Sequence, residues 1–163
     1  MPLRMTFLLL TTSVFGAELI AGEPWREFKS KEGGITIAFP GIPDTKPGIV
    51  FFRKGDGKPF WLMASWESPG MKLDDKKTAS DFLQGGQHGI MDRAKGKLLK
   101  EVISEHQGRP SREFSFHSEK YGFVRTRLLL ANDKLYIVSF YGESEEMLSS
   151  KAAEQYFRSF VVK

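Results

Sequence analysis

The chain has 163 residues, 40% of them hydrophobic and 13% aromatic, enough apolar material for one domain with a buried core and too much for a disordered chain. Its formal net charge of +4 is small and its charges are interspersed, which gives no support to nucleic-acid binding. The absence of cysteine excludes disulfides, thiol catalysis and a lipobox for lipid anchoring.

In chain order, Arg4 precedes an apolar run at 7–15 that is interrupted by Thr11, Thr12 and Ser13. That run is too short to span a bilayer and has the size of a signal-peptide core. Val14 and Gly16 fit cleavage before Ala17, and Ala21 and Gly22 offer later sites. The expectation is a signal peptide at 1–16, a single domain at 17–163 and an exported product, periplasmic or secreted, with no membrane span after cleavage. A competing reading makes residues 8–10 part of a buried first strand.

After a short segment at 25–28, the Lys31-Glu32-Gly33-Gly34 turn leads into a strand at 35–39 with Ile35, Ile37 and Phe39 on one face. Residues 49–53 and 60–68 form a hairpin around Lys54-Gly55-Asp56-Gly57-Lys58, in which Asp56 reads as a turn residue. In the second arm Phe60, Leu62, Ala64 and Trp66 share one face while Trp61 and Met63 share the other, so the strand should be covered on both sides. A helix follows at 78–94, capped by Asp74, Asp75 or Thr78, with Phe82, Gly86, Ile90 and Met91 or Ala94 near one stripe. Gly85, Gly86 and Gly89 each weaken that helix by about 1 kcal/mol relative to alanine, and they would let its backbone lie close to a sheet. Strands are expected at 97–105, 111–118, 122–130 and 135–142, with a closing helix at 150–160. The fold class is therefore α+β, an antiparallel sheet flanked by two helices.

Asn132-Asp133 as a two-residue turn aligns Leu128 with Ile137 and Arg125 with Phe140. One face then carries Val124, Thr126, Leu128, Leu130, Leu135, Ile137 and Tyr141. The other carries Phe123, Arg125, Arg127, Leu129, Tyr136, Val138 and Phe140. Pairing 111–118 so that Phe114 and Phe116 meet the first face puts Glu113 opposite Arg127, with Phe140 expected to stack on Arg125. Arg125, Arg127, Glu113 and Phe140 form the candidate interaction surface. It reads either as a salt-bridged sheet surface or as a site for an anion or partner.

The segments Gly108-Arg109-Pro110-Ser111-Arg112-Glu113-Phe114, Val124-Arg125-Thr126-Arg127-Leu128, Asp133-Lys134-Leu135-Tyr136 and Ala153-Glu154-Gln155-Tyr156-Phe157-Arg158-Ser159-Phe160 resemble a pattern recurring in small, exported, uncharacterised bacterial domains. Trp25-Arg26-Glu27-Phe28 and the glycine-led strand ending in Phe39-Pro40-Gly41-Ile42-Pro43 fit the same pattern. The strand order and closing helix resemble the PsbP-like fold, an α/β/α sandwich shared with DcrB-like periplasmic proteins. The resemblance covers most of 24–163. It implies an accessory or binding role without catalysis or cofactor, and it carries over no functional residue.

No G-x-S-x-G, H-E-x-x-H, G-x-x-x-x-G-K-[ST] or G-x-G-x-x-G occurs in the sequence. His88, His106 and His117 lack paired-ligand spacing, and Asp74-Asp75 offers too few oxygens for calcium. Phe52, Trp61, Met63 and Trp66, with Phe51 and Phe60 beside them, are the candidate pocket, although core packing explains the same aromatics. Three functions remain open: a non-enzymatic exported accessory or binding domain with a protein or envelope partner, a carrier of a small apolar ligand or lipid, and a hydrolase-like enzyme using His106 or His117. None calls for a metal or cofactor.

Overall fold

The computed structural model describes residues 24–53, 61–70 and 76–163. The expected signal peptide, Phe60, Asp74-Asp75 and the loop containing Asp56 lie outside the described residues. The elements in order are β1 Arg26–Ser30, β2 Ile35–Phe39, β3 Asp44–Lys46, β4 Ile49–Arg53, β5 Trp61–Glu67, α1 Lys76–Ala94, β6 Lys97–His106, β7 Arg109–Ser118, β8 Gly122–Ala131 and β9 Lys134–Gly142. A 3-10 turn at Glu146–Ser149, α2 Lys151–Ser159 and β10 Val161–Val162 complete them.

All pairings are antiparallel, in a seven-stranded sheet ordered β3-β4-β5-β9-β8-β7-β6 and a three-stranded sheet ordered β1-β2-β10. Asn132 and Asp133 have φ of 50° and 57°, the left-handed pair that a two-residue hairpin needs to match strand twist. The resulting register places Leu128 beside Ile137 and Arg125 beside Phe140, as expected. Gln107 and Gly108, at φ 52° and 72°, turn β6 into β7 in the same way. Strand β7 thus begins at Arg109 rather than Ser111 and includes Pro110, which is tolerated because pairing with β8 starts only at Ser111.

The large sheet separates two apolar cores. On one face α1 packs over β7 and β8, burying Ala79, Leu83 and Ala94 against Phe114, Phe116, Val124 and Leu128. Ala79 and Leu83 form the centre of that helix face, with the expected Phe82, Ile90 and Met91 at its half-buried margin. A Cβ at Gly86 would stand 3.3 Å from Leu128 Cδ1, so this glycine does bring helix and sheet close, whereas Gly85 has open space beside it. The helix ends with Lys95 at φ 48°, its N–H donating to the Asp92 carbonyl and that of Gly96 donating to Met91, the two bonds of a Schellman stop.

On the opposite face, Ile35, Ile37, Phe39, Leu62, Leu129, Tyr136, Val138 and Phe140 meet Ala153, Tyr156, Phe157 and Phe160 of α2 and its C-terminal flank. Ser150 caps α2 by accepting from the Ala153 N–H. Leu62, Ala64 and Trp66 of β5 are buried here, while Trp61 and Met63 on the other face are half-buried, so that strand is fully covered on one side only. Strands β3 and β10, and with them the small sheet, were not expected. Three exposed residues and two residues respectively are too few for an alternating pattern to register. Among the described residues no helix is long and apolar enough to cross a membrane.

Candidate functional site

Glu113 stands opposite Arg127 in the β7–β8 ladder, and Arg125 is two residues back on the same face, where strand alternation requires it. The carboxylate bridges both guanidiniums. Its Oε1 accepts from Arg125 Nε at 2.7 Å and its Oε2 accepts from Arg127 Nε at 2.9 Å and Nη2 at 2.7 Å. Arg125 Nη1 also donates to the Leu148 carbonyl at 2.9 Å and to Glu154 Oε1 at 2.6 Å. Arg127 Nη1 donates to the Phe157 carbonyl at 3.0 Å, satisfying an acceptor in the last turn of α2 where a cation is also favoured by the helix dipole.

The ring beneath both arginines is Phe157, 4.5 Å from the Arg125 guanidinium carbon and 5.1 Å from that of Arg127. The expected stack on Phe140 is corrected accordingly. Phe140 is Arg125's ladder neighbour but sits wholly in the core, while α2 lays Phe157 directly over the guanidiniums. The side chains of Arg125 and Arg127 are each 16% exposed and that of Glu113 17%. The cluster has the salt bridges of the first of the two readings, and because α2 and the 3-10 turn cover it, it is a clasp between sheet and helix. Burial works against the charge of Arg125, yet hydrogen bonds and attraction from Glu154 and Glu113 outweigh it and raise its pKa. The hydrogen bond from Arg125, followed by Coulomb attraction to the neighbouring arginines, holds Glu154 below the ordinary carboxylate range against a desolvation effect.

The clasp reaches the surface at one end. A 310 Å³ groove opens there between β6 and the 3-10 turn, walled by Lys100, Val102, Arg125, Glu145, Ser149 and Glu154. A second groove of 290 Å³ lies between α1 and the β6–β7 hairpin, with Ser80, Leu83, Ile103, Pro110 and Arg112 in its wall. Arg112 is buried, donating to Gln87 Oε1 of α1 at 2.8 Å and pairing with Glu101 of β6.

The other candidate residues separate. Phe52 and Trp66 face the α2 core, whereas Trp61 and Met63 face the opposite side, with Trp61 stacked on Tyr141 at 3.7 Å. Strand alternation therefore prevents Phe52, Trp61, Met63 and Trp66 from lining one cavity. His88 is exposed on α1, and His117 lies against Phe123 at 4.7 Å. His106 Nε2 is 3.1 Å from the Phe160 carbonyl, to which its neutral form donates, and its ring stacks on Phe160. Burial first, then the charge of Arg127, lowers its pKa. Among the described residues no group of three His, Cys, Asp or Glu could hold a metal ion.

Glu113 and Arg127 could be found from register alone. Glu154, Phe157 and the Gln87–Arg112–Glu101 chain could not, because they depend on where the two helices dock.

No family model matches the sequence, and no curated protein matches it either. Solved structures do. The solution structure of cyanobacterial PsbP, CyanoP, from Synechocystis sp. PCC 6803 superposes with a TM-score of 0.63 at 14% identity, covering 85% of this chain and 92% of that one. The Pseudomonas aeruginosa protein PA94, described as a putative regulator, gives 0.57 at 12% identity over 85% and 96%. The Ran-binding protein Mog1p of Saccharomyces cerevisiae gives 0.48 at 13% identity over 86% and 96%, too distant to bear on function. The chain has the PsbP-like fold, an α+β architecture of antiparallel sheets with two helices.

Proposed function

We propose that this chain is an exported accessory domain that binds a protein or envelope partner without catalysis, at the groove where the arginine clasp meets the surface. The observation that carries this reading is the clasp itself. Glu113 and Glu154 are held by arginines as fixed structural charges, and the His106 ring is engaged with a backbone carbonyl. Proton transfer would require a base within reach of a substrate and a pKa suited to the task. A rigid floor with charged and apolar groups at its rim suits recognition instead. The likeness to PsbP supports the same reading at the level of fold alone.

Glu145→Lys tests the site, because Glu145 is exposed in the groove wall and lies outside the clasp. Capture of the partner from an envelope fraction should be lost at an unchanged melting temperature. Capture equal to that of the unsubstituted chain would place the binding surface elsewhere. Export rests on Arg4 and the 7–15 run, so N-terminal sequencing of the native protein should begin near Ala17. An intact Met1 on cytoplasmic protein would remove that part of the reading.

A further inference from the structure

Helix α1 and the β6–β7 hairpin meet along one line of side chains. Ser80, Leu83 and Gln87 stand at i, i+3 and i+7 on the helix, a spacing that puts them on one face. Pro110, Arg112 and Phe114 alternate along β7 and so share the sheet face that α1 covers, where Phe114 is buried. Glu105 and Ile103 of β6 lie opposite Pro110 and Arg112. Because α1 packs on β7 and β8, this margin is left as the 290 Å³ groove, with Leu83, Ile103 and Pro110 as its apolar walls. The Arg112 side chain is only 7% exposed, and its Nη1 makes both of its hydrogen bonds, to Gln87 Oε1 and to Glu101. Nε and Nη2 have no partner among the described residues. Neither atom is among the orphaned polar atoms sealed from solvent, so both open onto the groove that this side chain lines. Donors so sheltered cost stability until an acceptor answers them.

We infer that this groove binds a small apolar molecule carrying an uncharged carbonyl group, an amide or ester of a short acyl chain, whose oxygen accepts from Arg112 Nε and Nη2 while its chain lies against Leu83, Ile103 and Pro110. The charge already in the wall selects a neutral head. Glu101 compensates Arg112 there, so an incoming carboxylate would stand as an excess negative charge in a sheltered place. A carbonyl oxygen has two lone pairs and takes both donors without adding charge. The walls supply the rest of the recognition, since a groove of this size with apolar sides and one fixed polar group suits a small ligand held by its apolar part and oriented by its polar one.

The groove lies on the opposite side of the large sheet from the arginine clasp, so it does not rest on the partner site proposed above, and Glu145→Lys should leave it unchanged. NMR titration of the isotope-labelled full chain with hexanamide should give saturable shifts at Leu83, Ile103 and the Arg112 Nε–H. Its shorter homologue propanamide should bind about tenfold more weakly or worse, because each buried methylene tightens binding by up to about fourfold. Hexanoate, with the same chain and a charged head, should also bind about tenfold more weakly. Arg112→Lys keeps a cation for Glu101 but loses the guanidinium edge, and should weaken hexanamide by about tenfold. Should that variant fold poorly, Ile103→Thr carries the test: Ile103 is 66% exposed, so the substitution should weaken hexanamide by about threefold with the melting temperature kept. Hexanoate binding as tightly as hexanamide would overturn the neutral head. No saturable shift with hexanamide, or binding indifferent to both substitutions, would overturn the site.

Discussion

At the scale of single residues, Arg127 joins β8 to β7 through Glu113 and to α2 through the Phe157 carbonyl. With these side chains only 16% and 17% exposed, the pair is better sheltered than a surface ion pair. Arg127→Ala should therefore cost about 2 kcal/mol, because it leaves both a carboxylate and a helix-end carbonyl short of donors. Arg127→Lys should recover only part of that loss, since an ammonium cannot match the guanidinium's fork. Chemical denaturation of the two variants checks this, and an Arg127→Ala chain as stable as its parent would mean that the clasp contributes nothing net. The Glu113–Arg127 half of the cluster was legible in the sequence because a two-residue turn fixes the β8–β9 register and alternating apolar positions fix that of β7. The Glu154–Phe157 half was not, because helix docking is a tertiary choice that no local spacing encodes.

Among the elements, the glycines around α1 distinguish helix propensity from packing. A Cβ at Gly85 meets open space, whereas one at Gly96 would stand 2.6 Å from Phe116 Cδ2. Gly85→Ala should stabilise the domain by about 0.5–1 kcal/mol through the helix alone. Gly96→Ala should destabilise it by about 1–3 kcal/mol, since Phe116 is buried and cannot swing clear without strain. Thermal melts of the two variants should shift in opposite directions; equal shifts would contradict the placement of α1 on the sheet. Helix and strand types were readable wherever the periodic pattern ran long, as in α1, β8 and β9. The small sheet escaped because β10 is only two residues and pairs with β2 from the far end of the chain.

For the molecule as a whole, His106 and Glu154 tie stability to pH in the same direction. Both have lowered pKa values when folded, so on acidification the unfolded chain takes up each proton first and gains relative to the folded state. For His106 the loss begins as pH falls through its ordinary value of 6.5 and ends below its folded value. For Glu154 it begins near 4.5 and likewise continues below the folded value. Melting temperature should therefore fall in two stages between neutral and acid pH. His106→Gln, which retains a donor for Phe160, should abolish the upper stage alone. A variant profile identical to the parent's would assign that stage to other groups.

The C-terminal closure has a consequence for the order in which the chain can fold. The Ala38 N–H donates to Ser159 Oγ at 2.9 Å across 121 positions of sequence, and the Lys163 N–H donates to the Gly34 carbonyl. Strand β2 thus receives its second neighbour only from β10, far downstream in the chain. Contacts of such long range delay completion of a native state. A nascent chain still lacking α2 and β10 has Ile35, Ile37 and Phe39 without their helix and without their closing strand.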